Sequence, residues 1–115
     1  MTITRIEQVP RMSQAVINRD TVYLAGQVGQ PGDSIIEQTA TVLAKIDALL
    51  AQTGSGKNHL LSATIWLADM ADFSDMNAVW DAWLAGFPTP ARATGESKLA
   101  APGYKVEIII IAAKP

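Results

Sequence analysis

Apolar residues in the middle of the chain recur every three or four positions, a spacing typical of one face of an amphipathic helix. These positions are Val42, Leu43, Ile46, Leu49 and Leu50. Ser34 and Glu37 precede them with the Ser-x-x-Glu spacing of a capping box. Gly54 follows them, and glycine commonly ends helices. The pattern predicts a helix over residues 34–53, and we interpret Gln38 and Thr39 in its first turns as residues of its polar face.

A second helix is predicted between residues 72 and 86. Its apolar positions are Phe73, Met76, Trp80, Trp83 and Leu84. Asp72 is a good N-cap residue, and Gly86 and Pro88 end the pattern. The spacing of the tryptophans favours core packing over a ligand cage. Asparagine has a low helix propensity, so Asn77 in the helix interior is either a surface residue or a site residue.

The remaining regular segments read as strands. The β-type runs cover residues 2–7, 14–18, 21–25 and 59–68. Residues 26–33 hold three glycines and a proline, which is typical of a loop.

The last quarter of the chain has two further runs, separated by Ala101, Pro102 and Gly103. Because Pro102 cannot donate to a strand ladder and Gly103 permits positive φ, these residues predict a hairpin turn. If Leu99 pairs with Tyr104, then Glu96 lies opposite Glu107, and Arg92, Thr94 and Glu107 share one face. Two opposed acids disfavour that register, and one extra loop residue would turn one strand over, so the register stays open.

The elements follow the order β-β-β-α-β-α-β-β, which predicts an α+β fold with one mixed sheet and two helices on one face. The four isoleucines at 108–111 offer apolar side chains to both faces of that sheet. Two helices can cover only one face, and a large exposed apolar patch marks an interface. The sequence therefore predicts self-association.

Composition narrows the class of protein. A chain of 115 residues with 49% hydrophobic residues predicts one globular domain over residues 1–115. The net charge is −2 and the nine basic residues are scattered, which argues against a nucleic-acid partner. We expect no membrane partner, because no apolar run approaches the roughly 20 residues of a membrane span. The chain has no cysteines and its first residues lack a signal-peptide pattern, so we expect a cytoplasmic location.

Several short motifs, in this order, resemble those of the RidA (YjgF-like) family. They are Ser13-Gln14-Ala15, Gly26-Gln27, Gln38-Thr39, residues 69–73 with Asn77, Pro90-Ala91-Arg92 and Val106-Glu107-Ile108. The resemblance covers nearly the whole chain. It implies a chorismate mutase-like fold and a homotrimer whose sheets form a central barrel, with sites in clefts between subunits. It also implies hydrolysis of reactive enamines and imines.

The resemblance assigns roles to two charged residues. Arg92 matches the substrate-binding arginine of the family, and a guanidinium can bind a carboxylate through two parallel hydrogen bonds. Glu107 matches the family's acidic position and would orient or deprotonate a water. Together they suit hydrolysis of a 2-imino acid to a 2-oxo acid and ammonia, which needs no metal and no cofactor, and we expect neither. From the residues alone, an Arg–Glu pair that only bridges subunits is the alternative.

Three positions depart from the imine deaminases of the family. Met12 replaces a tyrosine, Ala25 a serine and Thr94 a cysteine; with Gly26 and Asn77 they complete the predicted substrate-binding set around Arg92. These changes predict either an altered substrate preference or a non-catalytic, chaperone-like module that binds small carboxylates in the same cleft. A ribonuclease activity is disfavoured by the charge distribution and by the single histidine.

Overall fold

The computed structural model describes residues 2–115, which form seven strands and two α-helices. In chain order these are β1 (Ile3–Ile6), β2 (Ala15–Asn18), β3 (Thr21–Leu24), β4 (Gln27–Val28), α1 (Ile35–Gln52), β5 (Leu60–Leu67), α2 (Phe73–Leu84), β6 (Ala91–Glu96) and β7 (Val106–Ala113). The strands form one mixed sheet in the order β1-β2-β3-β7-β5-β6, and β4 also pairs with β7. The predicted α+β class is confirmed. The prediction of a loop over residues 26–33 missed β4.

Strand β7 is central, with antiparallel partners on both sides. Its eight residues alternate between buried and half-buried positions. The even-numbered side chains, Val106, Ile108, Ile110 and Ala112, are fully buried in the core beneath the helices. The odd-numbered side chains point to the opposite side of the sheet, called the open face below. The prediction that the isoleucine run serves both faces is confirmed.

Helix α1 begins with the predicted capping box. Ser34 Oγ accepts a hydrogen bond from the Glu37 backbone N–H, and a Glu37 carboxylate oxygen accepts one from the Ser34 backbone N–H. The bond from the Ser34 backbone, with a further contribution from the Ser34 hydroxyl, lowers the pKa of Glu37. Of residues 2–115, no helix is long and apolar enough to cross a membrane.

The interpretation of Gln38 and Thr39 as polar-face residues was wrong, because both are 0% exposed. Gln38 Nε2 donates to the carbonyls of Asp33 and Gly103, and its Oε1 accepts from the Lys105 backbone N–H. Helical spacing places Gln38 beside the apolar stripe of α1. Burial of its polar side chain is favourable because backbone groups of Asp33, Gly103 and Lys105 satisfy its hydrogen bonds.

The predicted hairpin between the last two strands was also wrong. Strand β6 pairs in parallel with one edge of β5, and β7 pairs antiparallel with the other edge. Helix α2 makes the crossover that a parallel pair requires. Residues 97–105 therefore pass around the end of β5, where Ser97 N–H donates to Leu67 O and Ala68 N–H donates to Lys105 O.

Candidate functional site

Arg92 lies on the edge strand β6, with its side chain on the helix side of the sheet. It is in register with Ala63, which is buried in the core. Its guanidinium carbon lies 5.9 Å from the ring centroid of Phe73 and 5.6 Å from that of Trp80. Both rings belong to α2, seven residues or two turns apart. Both distances lie within the roughly 6 Å range of a cation–π contact, so the two rings attract the guanidinium.

Arg92 opens into a cleft of about 360 Å³ between β6 and α2. The lining residues are Asn77, Trp80, Asp81, Thr89, Pro90 and Arg92. Asn77 Oδ1 and Thr94 Oγ1 are buried and find no hydrogen-bond partner within residues 2–115. Buried polar atoms are normally paired with protein, water or ligand, so two such atoms near Arg92 fit a binding site for a polar ligand.

Glu107 lies on β7, with its side chain half-buried on the open face. Its register neighbour on β5 is Trp66, and its neighbour on β4 is Val28. The carboxylate occupies the space that a side chain at position 26 would need, since a Cβ built on Gly26 would lie 2.8 Å from Glu107 Cδ. Glycine at position 26 is therefore required for this position of the acid.

The segment around Gly26 is held by two amide side chains. Gln27 Nε2 donates to Gln14 Oε1 over 2.9 Å and to the Ala25 carbonyl over 3.0 Å, and Gln27 is buried. The Ala25 backbone N–H in turn donates to the Gln14 carbonyl. These bonds hold Gln14, at the entry to β2, beside Ala25 and Gln27. The two motif glutamines thus act on the backbone next to Glu107.

The predicted site residues fall into two groups on opposite sides of the sheet. The first group, on the helix side, consists of Arg92, Thr94 and Asn77. The second group, on the open face, consists of Glu107, Gly26 and the adjoining Ala25, while Met12 is exposed and lies two residues before the Gln14 that bonds Gln27. The register in which Arg92 and Glu107 would share one face, left open by the sequence, does not occur. It assumed a β6–β7 hairpin, whereas β5 lies between these strands and sets the alternation of each independently.

Sequence reasoning missed three aromatic residues at these groups. Trp80 is a core residue, as predicted, and its ring also contacts Arg92, whereas Phe73, predicted as a core position, is exposed and contacts Arg92 as well. Their spacing of four and three residues from Asn77 was the available signal, since it puts all three on one helix face. The prediction of core packing was wrong for Trp66, which is exposed beside Glu107, because its face was not determined until its register on β5 was known.

Within residues 2–115, no group of three or more His, Cys, Asp or Glu side chains is placed to hold a metal ion. The charged groups at the two predicted groups of site residues are Arg92, with Asp81 in the same cleft, on one side of the sheet and Glu107 on the other.

Comparison with known proteins places this fold and these motifs in one family. Residues 2–114 match the family model described as Endoribonuclease L-PSP. The RutC family protein YoaB of Escherichia coli K12 is 47% identical over 113 residues, covering 98% of this chain and 99% of that protein. A 2-iminobutanoate/2-iminopropanoate deaminase of Mus musculus is 33% identical over 107 residues, covering 87% of this chain and 78% of that protein.

The solved structures agree. A YjgF family protein of Neisseria meningitidis has a TM-score of 0.96 and 49% sequence identity, covering 100% of this chain and 97% of that one. This mixed sheet with two helices is thus the fold of small YjgF-type proteins. The chain belongs to the Rid (YjgF) family.

Proposed function

We propose that this protein hydrolyses 2-imino acids and their enamine tautomers to 2-oxo acids and ammonia, at a site shared between two subunits of a homotrimer. The proposal rests on one observation: the predicted site residues lie on opposite sides of the sheet. Arg92 presents its guanidinium in a cleft on one side of the sheet, and Glu107 presents a carboxylate on the other. One ligand can meet both groups only where two chains come together.

The open face supplies the surface for this assembly. Tyr23, Ile109, Ile111 and Trp66 lie on it, and it is not covered by either helix. Tyr23 is exposed in the single chain. Burying Tyr23 and Ile111 in a trimer would remove apolar surface from water, which favours association.

Arg92 supplies the carboxylate-binding half of the proposed site. A guanidinium binds a carboxylate through two charge-assisted hydrogen bonds, each contributing about 1.5–3 kcal/mol. The cation–π contacts with Phe73 and Trp80 restrict the orientation of the guanidinium before the ligand binds. Less conformational entropy is then lost on binding. Thr94 and Asn77 add polar atoms for the rest of the ligand.

Glu107 supplies the water-activating half. Its carboxylate accepts a proton from a water whose oxygen adds to the imine carbon, giving a carbinolamine. The imine reacts as its conjugate acid, so the carbinolamine nitrogen is a neutral amine. The Glu107 carboxylic acid returns its proton to that nitrogen, and the C–N bond breaks with its electron pair leaving on nitrogen as ammonia. The carbinolamine hydroxyl loses its proton to the Glu107 carboxylate as the C=O bond of the 2-oxo acid forms. A positioned general base of this kind contributes about 10²–10⁴-fold.

The mouse relative is named as a 2-iminobutanoate/2-iminopropanoate deaminase, which supports this reaction. Its identity of 33% supports a different substrate preference in this chain. We propose that Met12, Ala25 and Thr94 carry the difference, since two of these positions lose a hydroxyl relative to the deaminases. Changing Met12→Tyr together with Ala25→Ser should then raise activity on 2-aminoacrylate.

Hydrolysis is tested by generating imines with an amino-acid oxidase and trapping them with semicarbazide. The protein should reduce the semicarbazone signal, and Arg92→Ala should abolish this effect, because the carboxylate then no longer fixes the imine carbon beside water. Arg11→Ala, at an exposed arginine outside both groups, is the matched control and should act as wild type. Equal trapping with and without wild-type protein, over a broad amino-acid panel, would exclude the hydrolase.

A second candidate is a module that binds small carboxylates without catalysis. It is favoured by the cleft at Arg92, which is built within one chain and does not require Glu107. Calorimetry with 2-oxobutanoate distinguishes the two functions: binding lost in Arg92→Ala and Arg92→Lys, without any hydrolysis in wild type, would support the module. We do not propose ribonuclease activity, because the net charge of −2 and the single histidine favour small-molecule chemistry.

A further inference from the structure

Glu107 belongs to a row of residues that crosses the open face of the sheet. Trp66 lies beside it on β5, and Gly95 lies beyond Trp66 on β6. On the other side of Glu107 its register neighbour is Val28, and Gly26, two residues before Val28, lies against the Glu107 carboxylate. The row therefore places one carboxylate and one indole side by side, between two glycines.

The two glycines determine where these side chains lie. A Cβ on Gly95 would be 3.0 Å from Trp66 Cζ3, so the indole lies against the bare backbone of β6. The Glu107 carboxylate lies in the same way against Gly26. The carboxylate thus leans toward Gly26 and the indole toward β6, in opposite directions along the row.

Trp66 differs from the other tryptophans of the chain. Its side chain is 37% exposed, whereas Trp80 is 5% exposed and Trp83 donates its indole N–H to Asp47. Ile109 is the next β7 residue on the same face as Glu107, about 6–7 Å further along the strand. Trp66 and Ile109 therefore form an apolar wall on two sides of the Glu107 carboxylate.

We propose that Trp66 binds the side chain of the substrate and directs the site to 2-imino acids with apolar side chains of leucine or phenylalanine size. The inference rests on the proposed function, and it names the substrate class of that site. A ligand whose imine carbon lies within reach of a water on Glu107 has its side chain within reach of the neighbouring indole. Tryptophan provides a large rigid contact area for such a group.

The test compares kcat/KM for imines made from leucine and phenylalanine with that for the imine made from alanine. Wild type should prefer the larger imines, and Trp66→Ala should lower this preference by about tenfold or more, mainly through KM for the larger imines. Trp66→Phe keeps an aromatic ring and should retain most of the preference. Light scattering should give every variant the mass of wild type.

Binding supplies a second readout that does not depend on turnover. Adding 4-methyl-2-oxopentanoate to wild type should change tryptophan emission more than adding pyruvate. Trp66→Phe should lose most of the difference in emission change between the two ligands. The matched control Trp83→Phe should keep that difference. This measurement applies even where Trp66→Ala fails to fold.

The outcomes separate this inference from the proposed function. Hydrolysis with a side-chain preference unchanged in Trp66→Ala, at wild-type mass, would overturn the role of Trp66 and leave the hydrolase standing. Absence of hydrolysis, with tight binding of 4-methyl-2-oxopentanoate that requires Trp66, would support the side-chain site and overturn the catalysis. Emission changes that are equal in wild type and Trp66→Phe would count against Trp66.

Discussion

Arg92 and Glu107 lie on opposite faces of one sheet, separated by strand β5. Arg92 is in register with Ala63, and Glu107 is in register with Trp66, three residues further along the same strand. Side chains three positions apart on a strand point to opposite sides. The two side chains therefore form no ion pair within one chain, and we propose that they act together across two chains.

Complementation between inactive variants follows from this relationship. Arg92→Ala and Glu107→Gln should each lack most activity, yet trimers assembled from an equal mixture should regain about one quarter of the wild-type sites, because one interface in four then combines an intact Arg92 with an intact Glu107 from its neighbour. The measurement is imine hydrolysis after the two chains are unfolded and refolded together. Mixed chains that stay as inactive as the separate variants would place both groups in one subunit's site.

The open face should hold the trimer together. Wild type should elute as one species of about three times 12.3 kDa, measured by light scattering coupled to gel filtration. Ile111→Glu places a charge on this face and should dissociate the trimer or leave the chain insoluble, because an uncompensated charge is costly to bury. Ile36→Glu is the matched control, since Ile36 is exposed on α1, and it should remain trimeric. A monomeric wild type at micromolar concentration contradicts the assembly.

The cation–π contact between Phe73 and the guanidinium should contribute to ligand affinity. Phe73→Leu removes an exposed ring that lies over Arg92, and we expect 2-oxobutanoate to bind about 2–5-fold more weakly, the equivalent of an exposed cation–π contact. Phe87→Leu is the matched control, because that exposed ring lies over Lys57 instead. Calorimetry on both variants decides the matter. Equal affinity in the two variants would mean that the Phe73 ring does not assist Arg92.

The buried amide of Gln38 should be important for stability. Gln38→Leu removes the acceptor of the Lys105 N–H and a donor to the Gly103 carbonyl, and it should lower the free energy of unfolding by about 2–4 kcal/mol. Gln52→Leu, at an exposed position at the end of α1, should change it little. Urea unfolding at one fixed chain concentration gives both values, since association adds to apparent stability. A small loss in Gln38→Leu would show that water replaces the amide.

Local patterns determined most of the elements. The predicted helix over residues 34–53 is α1, and the predicted second helix is α2, because helical spacing and capping residues act within a few turns. The two-sided apolar character of β7 was likewise evident from four consecutive isoleucines. The family motifs identified Arg92 and Glu107 as site candidates by residue type and order along the chain.

Tertiary structure alone decided which strands pair and which faces the site residues share. Residues 97–105 could form either a hairpin loop or a longer connection, and the choice depends on β5, which binds β6 along one edge and β7 along the other. That choice separates Arg92 from Glu107, places Trp66 beside the acid, and buries Gln38 against backbone groups about 65 residues away in the chain. Pairing between strands that are far apart in the chain depends on burial of the whole core. Sequence patterns indicate only the local secondary structure that neighbouring residues favour.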